Sequence, residues 1–260
     1  MKRLTITNQK GGLGKTCLST NIARFMSSDF KKKVLFLDFD VQANATETLK
    51  DFAISITCYD FISRELNAQE IQMIATATEK NNLVLIQSSN SLANSDSFDK
   101  NLCYKYFNLN VAKIEKLFDF MVMDTPPTLG NVLTLAFLFS EQLIIPLELD
   151  SFALQGLQKL LATYQAIKKI NIKLNLLGIV INKFYNQRKR QVELFEQINQ
   201  KAGEGLIFNA KIHPCSAIQD ALSLGCSLRE LRKKKGFTNT RAINEFYALT
   251  SEVLKKLNDK

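Results

Sequence analysis

The feature that most constrains this chain is a glycine-rich segment near its start, Asn8-Gln9-Lys10-Gly11-Gly12-Leu13-Gly14-Lys15-Thr16. This segment, the phosphate loop, follows an apolar run and precedes a helical pattern. Glycines let backbone N–H groups turn inward around an anion, and the N-terminus of the following helix adds positive charge. The amine of Lys15 would neutralise β and γ phosphates, and the hydroxyl of Thr16 would bind Mg²⁺. The loop therefore predicts a nucleoside triphosphate site that uses magnesium.

Short apolar runs alternate with longer amphipathic stretches along the chain. The apolar runs lack strict two-residue alternation, which is typical of strands buried on both faces of a parallel sheet. The predicted strands are Leu4–Thr7, Val34–Asp38, Leu83–Gln87, Phe120–Asp124, Gln142–Leu147 and Leu176–Asn182. The predicted helices are 15–28, 68–79, 110–118, 151–170, 188–201 and 240–257. Such alternation indicates right-handed βαβ units, hence an α/β fold with a mostly parallel twisted sheet and helices on both faces. The polar stretch Ser88–Lys100 is predicted to be a loop.

Composition favours a single domain over residues 1–260. Apolar residues make up 46% of the 260, which is enough for one sizeable core. No apolar run has the length of a membrane span, and the first residues resemble a strand and not a signal peptide, so we expect a cytoplasmic protein. The five cysteines form no C-x-x-C pair, and His213 is the only histidine. We therefore expect reduced thiols and no zinc-type site.

Positive charge is concentrated in the last third of the chain. The formal net charge is +9. Between Lys183 and Arg241 there are twelve Lys or Arg and five Asp or Glu, an excess of seven positive charges. A localised basic surface of this kind favours a polyanionic partner, either nucleic acid or an anionic membrane.

The phosphate loop departs from the standard pattern at two positions. Gln9 stands where a glycine is usual, and Lys10 is an additional lysine. The segment K-G-G-L-G-K-T resembles the deviant Walker A motif of the ParA/MinD family of ATPases. The resemblance implies that ATP is the ligand and that Lys10 reaches the nucleotide of a partner subunit in a homodimer. The residues implied to contact ATP here are Lys10, Gly11, Gly12, Leu13, Gly14, Lys15, Thr16 and Cys17.

A second segment, Asp38-Phe39-Asp40-Val41-Gln42-Ala43-Asn44-Ala45-Thr46, resembles the D-x-D-P-Q-x-N-A-T motif of the ParA branch. Two aspartates two positions apart point the same way from a strand, at the edge where parallel sheets bind ligands. The resemblance implies that Asp40 positions or activates the attacking water. Asp38 would help to arrange Mg²⁺ and the phosphate loop. The family's proline and glycine are Val41 and Ala43 here, so a non-hydrolysing scaffold stays open as an alternative.

The segment Phe120-Met121-Val122-Met123-Asp124-Thr125-Pro126-Pro127 is an apolar strand that ends in aspartate, and it resembles the family's Walker B motif. By this resemblance Asp124 would hold Mg²⁺ through its water shell. The stretch 146–157, with F-A-L-x-G-L, resembles a helix at the family's dimer interface. Asn182, at the end of a predicted strand, and Pro214 are implied to form two walls of an adenine pocket.

The resemblance as a whole implies an ATPase of the ParA/Soj partition branch. We expect an ATP-bound sandwich dimer that binds double-stranded DNA nonspecifically, with weak intrinsic hydrolysis that DNA and a ParB-like centromere-binding protein stimulate. The protein would then be nucleoid-associated. Lysines and arginines that contact phosphates would provide affinity without reading bases. The candidate DNA-binding residues are Arg188, Lys189, Arg190, Arg229, Arg232, Lys233, Lys234, Lys235 and Arg241.

Two other functions share the same phosphate loop. A MinD-like ATPase that cycles on membranes or positions protein clusters would end in a basic amphipathic helix, but the tail 249–260 is short and contains acidic residues. We therefore expect no stable membrane insertion. An iron protein of the nitrogenase-reductase kind would need paired cysteines near Asp124, where the nearest candidate is Cys103.

Overall fold

The computed structural model describes residues 1–127, 130–202, 205–235 and 240–259. Within these ranges, seven strands form one sheet in the order β3-β4-β2-β5-β1-β6-β7, and every strand pair is parallel. The strands are β1 (Lys2–Ile6), β2 (Val34–Asp38), β3 (Ala53–Thr57), β4 (Leu83–Gln87), β5 (Phe120–Asp124), β6 (Gln142–Leu147) and β7 (Asn175–Ile181).

Helices cover both faces of the sheet. They are α1 (Lys15–Ser28), α2 (Asn44–Thr48), α3 (Cys58–Ser63), α4 (Ala68–Lys80), α5 (Lys100–Ile114), α6 (Asn131–Phe139), α7 (Ala153–Lys168), α8 (Lys189–Ala202), α9 (Ser216–Ser223), α10 (Leu228–Lys235) and α11 (Arg241–Asn258). Helices α1, α9, α10 and α11 share one apolar core with the sheet, and α3 to α8 cover the opposite face. Successive residues of β2 enter different cores, because side chains of a strand alternate between faces.

The strand register sets the position of the three motifs. Strand β5 lies between β1 and β2, and Asp124 is opposite Ile6 on one side and Asp38 on the other. Every residue of β2 and β5 is buried, as their uninterrupted apolar sequences predict. The phosphate loop and both acidic segments consequently leave the sheet side by side at its carboxyl edge.

The structure confirms the predicted fold class and all six predicted strands, with shifts of a residue or two. The predicted helix 110–118 is wrong: α5 runs from Lys100 to Ile114, followed by a 3₁₀ turn. Asp99 begins this helix by accepting hydrogen bonds from the backbone N–H groups of Asn101 and Leu102. Strand β3, at the sheet edge, was not predicted, and the polar stretch 88–100 contains 3₁₀ turns at Asn90–Ser97.

The last helix, α11, packs against the sheet and does not stand free of it. The apolar face of α11 is buried, and Leu249, Val253 and Leu257 are at most 1% exposed. In the part of the chain described here, no helix combines the length and the apolar character that a membrane span requires.

Candidate nucleotide site

The phosphate loop occupies the turn between β1 and α1. Gly12 and Gly14 have φ angles of 75° and 82°, in the left-handed region that favours glycine. Gly14 precedes the first residue of α1, and no side chain caps this helix N-terminus. A Cβ at position 14 would also clash with Nδ2 of Asn182 and displace this side chain. The backbone N–H groups at the start of α1 can therefore face an anion.

Lys15 is the buried cation of the site. Only 6% of this residue is exposed, and its Nζ donates a hydrogen bond to the carbonyl oxygen of Lys10, 3.2 Å away. Burial lowers the pKa of Lys15, while the negative charges of Asp124 and Asp40 act in the opposite direction. A phosphate group beside this amine would supply negative charge, which compensates for the water that the buried ammonium has lost.

Asp124 and Thr16 form a pair beside Lys15. The Thr16 hydroxyl donates to Oδ2 of Asp124 at 2.7 Å, and among the described residues Oδ1 of this fully buried carboxyl has no hydrogen-bond partner. Burial raises the pKa of Asp124 well above its usual range, and the nearby charge of Asp38 raises it further. Magnesium in nucleotide sites prefers a hydroxyl, a carboxylate and water as oxygen ligands. An orphaned carboxylate oxygen next to a threonine hydroxyl fits this ion.

The two aspartates of the second segment have different surroundings. Oδ1 of Asp38 accepts from the N–H of Asp40 at 3.0 Å, and Oδ2 accepts from both the N–H and the hydroxyl of Thr46 at 2.8 Å. Asp38 is fully buried and thus anchors the start of α2. Asp40, by contrast, lines an open cavity, and its Oδ1 accepts from the N–H of Gln42. Only Asp40 of the two is placed to meet a water molecule in this cavity.

Ala43 adopts the conformation that a glycine would take more easily. Its φ of 54° and ψ of 25° are left-handed, and it is the residue immediately before α2. Such a conformation costs about 1–2 kcal/mol for a residue with a Cβ. The replacement of the family's glycine therefore leaves the backbone path of the loop in a glycine-like form.

The cavity next to the phosphate loop has a volume of about 720 Å³. One side is formed by the phosphate loop with Lys15, Thr16 and Cys17, and Asp40 and Pro127 border it as well. Burial raises the pKa of Cys17 to about 12, so this thiol is neutral. The remaining wall contains Gln42 and Asn44 of the second acidic segment, together with residues that no sequence motif indicated: Glu47, Thr48, Gln219, Leu222 and Ser223. The last three lie on α9, more than 90 positions after the last of the three motifs, and no local pattern marks them.

Lys10 is held within its own chain. Its Nζ pairs with the carboxylate of Asp150, which follows β6, and 47% of the lysine side chain is exposed. Burial raises the pKa of Asp150, but hydrogen bonds from Lys10 and from the N–H of Phe152 outweigh this effect and lower it. Phe152 is 67% exposed beside this pair. The additional lysine is thus at the surface, close to an uncovered aromatic ring.

Asn182 lies behind the phosphate loop, and Pro214 follows the segment that pairs with it. Nδ2 of Asn182 donates to the carbonyl of Leu13 at 2.8 Å, and Asn182 pairs with Ile212, two residues before Pro214. Neighbouring Lys183 donates to the carbonyl of Gly12 at 2.9 Å and pairs with Glu148. The end of β7 therefore supports the phosphate loop, while the adenine contact of Asn182 and Pro214 stays a prediction.

The two basic clusters lie toward different edges of the sheet. Arg188, Lys189 and Arg190 are exposed at the start of α8, and Arg190 contacts the hydroxyl of Ser151 after the carboxyl end of β6. Arg229, Arg232 and Lys233 are exposed on α10. Arg229 pairs with Asp29, which follows the end of α1. Arg241 pairs with Glu245 at the start of α11. The side chains of Lys234 and Lys235 lie outside the described residues.

Together the fold and the site define a class of protein. A glycine loop that ends in Lys-Thr at a helix N-terminus, with an aspartate from the adjacent parallel strand beside the threonine, is the arrangement of P-loop nucleotide-binding proteins.

Comparisons with known proteins narrow this class. A family model described as an AAA domain matches residues 1–176. A virulence plasmid ParA family protein of Chlamydia psittaci is 32% identical over 99% of this chain and 96% of its own length. The chromosome-partitioning ATPase Soj of Treponema pallidum is 30% identical over 86% of this chain and 87% of its own. A McdA variant from Cyanothece, solved in complex with ATP, superposes with a TM-score of 0.76 at 21% identity, over 99% of this chain and 96% of that one. The chain belongs to the ParA/MinD family of ATPases, in its ParA/Soj branch.

Proposed function

We propose that this protein is a ParA-type partition ATPase whose residues 1–260 act as one nucleotide-controlled domain. The observation that carries the proposal is the set of buried charges at one cavity. Lys15 and Asp40 line it, and Asp124 accepts a hydrogen bond from the lining residue Thr16 while its other oxygen has no hydrogen-bond partner among the described residues. Because unpaired buried charges are costly, their presence indicates a charged ligand.

We assign each of these residues a proposed role. The phosphate-loop amides and Lys15 bind the phosphates of ATP, and Thr16 and Asp124 hold Mg²⁺, with Asp38 arranging the adjoining loop through Thr46. Asp40 orients the attacking water. Magnesium supplies charge neutralisation on the transferred phosphoryl group when it is bound. In this mechanism the protein contributes positioning and electrostatic stabilisation of the developing charge.

Lys10 acts on the nucleotide of a second copy. Its present partner, Asp150, is a surface carboxylate, and an ion pair of such exposure contributes about 0–1 kcal/mol. This pair can therefore exchange for a phosphate contact across a sandwich dimer. Phe152, exposed beside it, would be covered in the same interface.

The basic clusters bind DNA nonspecifically in the ATP state, and a ParB-like partner stimulates hydrolysis. The protein would consequently be found on the nucleoid. A membrane-cycling role of the MinD kind is less well supported, because the apolar face of α11, with Leu249, Val253 and Leu257, is packed into the core.

The test is a DNA-binding titration with ATP, ADP and no nucleotide, with molecular mass measured in parallel by light scattering. We expect ATP alone to double the mass and to produce salt-sensitive binding to random duplex DNA. Liposomes containing anionic lipid serve as the comparison. If ATP leaves the mass unchanged and DNA is not bound at low salt, the proposal is wrong.

A further inference from the structure

A buried arginine on α1 connects two segments that are distant in sequence. Arg24 is only 7% exposed. Its guanidinium NH2 group donates to the carbonyl of Thr48, at the end of α2, and to the carbonyl of Gly225, in the turn between α9 and α10. Both distances are 2.7 Å. One side chain therefore joins three helical regions at a single point.

The surroundings of Arg24 are unfavourable for a residue whose only purpose is stability. Within the described ranges its Nε is buried without a hydrogen-bond partner, and the carboxylate oxygen with which it forms an ion pair, on Glu230, is 3.9 Å from NH1. The guanidinium also lies 5.4 Å from the centre of the Phe52 ring. Replacing a buried charge by an apolar side chain of similar volume is often neutral or stabilising. We therefore look for the role of this charge in the geometry that it imposes on the two carbonyls.

Both segments that Arg24 joins border the nucleotide cavity. Glu47 and Thr48 of α2 line one part of it, and Leu222 and Ser223 of α9 line another. Gly225 has a φ of 62°, and a Cβ there would lie 3.4 Å from the carbonyl oxygen of Glu47. The turn before α10 is thus packed directly on the end of α2.

These contacts form a route from the phosphates to the basic surface. Helix α2 directly follows the Asp40 loop and is anchored to Asp38 through Thr46. Helix α10 begins three residues after Gly225 and carries Arg229, Arg232 and Lys233. A displacement of α2 when ATP fills the cavity would move the Thr48 carbonyl, and the guanidinium would transmit the displacement to Gly225.

We propose that Arg24 is a positioning residue that couples nucleotide occupancy to the position of the basic helix α10, by holding the carbonyls of Thr48 and Gly225 with one nitrogen. This coupling rests on the proposed function, because it gives the ATP dependence of DNA binding a physical cause. Thermodynamic linkage requires DNA to raise ATP affinity by the factor by which ATP raises DNA affinity.

The test compares wild type with Arg24→Met, Arg24→Lys and the matched control Arg64→Met. Arg64 bridges Asp60 and Glu70 at the junction of α3 and α4, on the opposite face of the sheet.

The first measurement is amide hydrogen exchange of 40–48 and 226–233, with and without a non-hydrolysable ATP analogue and Mg²⁺. The second is the ratio of DNA affinities with and without that analogue. Thermal unfolding checks that each variant is folded, and Arg24→Lys replaces Arg24→Met should the latter not fold.

In wild type and Arg64→Met we expect the analogue to slow exchange in both segments and to raise DNA affinity by about 5–150-fold. In Arg24→Met the response of 40–48 should persist, the response of 226–233 should vanish, and the affinity ratio should fall to about one. Arg24→Lys keeps the charge but lacks the longer, planar guanidinium that places one nitrogen between both carbonyls, so it should fall between the two. If 226–233 responds normally in both Arg24 variants, the coupling role is overturned. If wild type shows the exchange response but binds no DNA, the DNA function fails while the coupling stands.

Discussion

The carboxyl edge of the sheet and the basic surface both carry charge, but they hold it in different ways. At the sheet edge, Asp38 and Asp124 are fully buried, and Asp38 accepts three hydrogen bonds at 3.0 Å or less. On the basic surface, Arg188 and Arg229 are exposed. Arg188 lies over the ring of Tyr185, and Arg229 pairs with the carboxylate of Asp29. Buried charges must be positioned because desolvation makes misplacement expensive, whereas exposed charges act mainly through their number. Single substitutions should accordingly have large effects at the edge and small ones on the surface.

Lys10→Ala should give the largest effect. Loss of a cation inserted from a partner subunit reduces stimulated ATP hydrolysis by about 10³–10⁵-fold in other nucleotide hydrolases, and we expect a value in or below that range. Phosphate release with DNA and partner protein present measures it. Asp150→Asn is the control, because it releases Lys10 from its own chain and should leave stimulated turnover intact. Normal stimulated turnover in Lys10→Ala would contradict the role in trans.

Asp40→Asn should slow hydrolysis by about 10²–10⁴-fold, the range for loss of a group that positions or deprotonates water. Nucleotide affinity, measured by calorimetry, should change little because Lys15 and the phosphate loop are untouched. Gln42→Ala, which alters a neighbouring residue of the same cavity, is the matched control and should hydrolyse ATP nearly as well as wild type. Equal rates for Asp40→Asn and wild type would assign water activation elsewhere.

Asp124→Asn should stabilise the nucleotide-free protein by about 1–3 kcal/mol while it weakens Mg²⁺ binding. Burial raises the folded-state pKa of Asp124 above that of the unfolded chain. As the pH rises past about 4, the unfolded chain loses this proton while the folded protein keeps it. The carboxyl therefore costs stability at neutral pH, and this cost fades as the pH falls toward 4. Thermal unfolding against pH measures it, and a variant less stable than wild type at pH 7 would contradict the sign.

The smallest effect should come from the basic surface. Replacing Arg229 and Arg232 by Gln should weaken ATP-dependent DNA binding about tenfold at low salt and reduce the slope of log affinity against log salt by about 2. The same change at Arg188 and Arg190 provides the comparison, because these residues lie toward the other edge of the sheet. The pair that lowers the slope identifies the DNA-contacting cluster. An unchanged slope in both would remove the basic clusters from the DNA interface.

Much of the site could be predicted because its geometry is encoded locally. Glycines at 12 and 14 permit the turn of the phosphate loop, and an apolar strand that ends in aspartate places Asp124 at the carboxyl edge of a buried sheet. Each of these signals lies within about ten residues. The helix predicted at 110–118 is wrong because α5 begins ten residues earlier, where the side chain of Asp99 caps it.

The amino-acid sequence by itself determined the fold class, the strand pattern, the phosphate loop and the aspartates beside it, since apolar periodicity and glycine placement act over short distances. Only the tertiary structure decided which residues close the cavity, which carboxylate holds Lys10 and what Arg24 joins. Gln219 faces the phosphate loop, Asp150 reaches Lys10, and Gly225 meets Thr48 because packing of α9 and the strand order bring distant segments together. Contacts between segments separated by more than 100 residues leave no periodic signal in the chain, because the free energy that selects them is gained only when the whole core is packed.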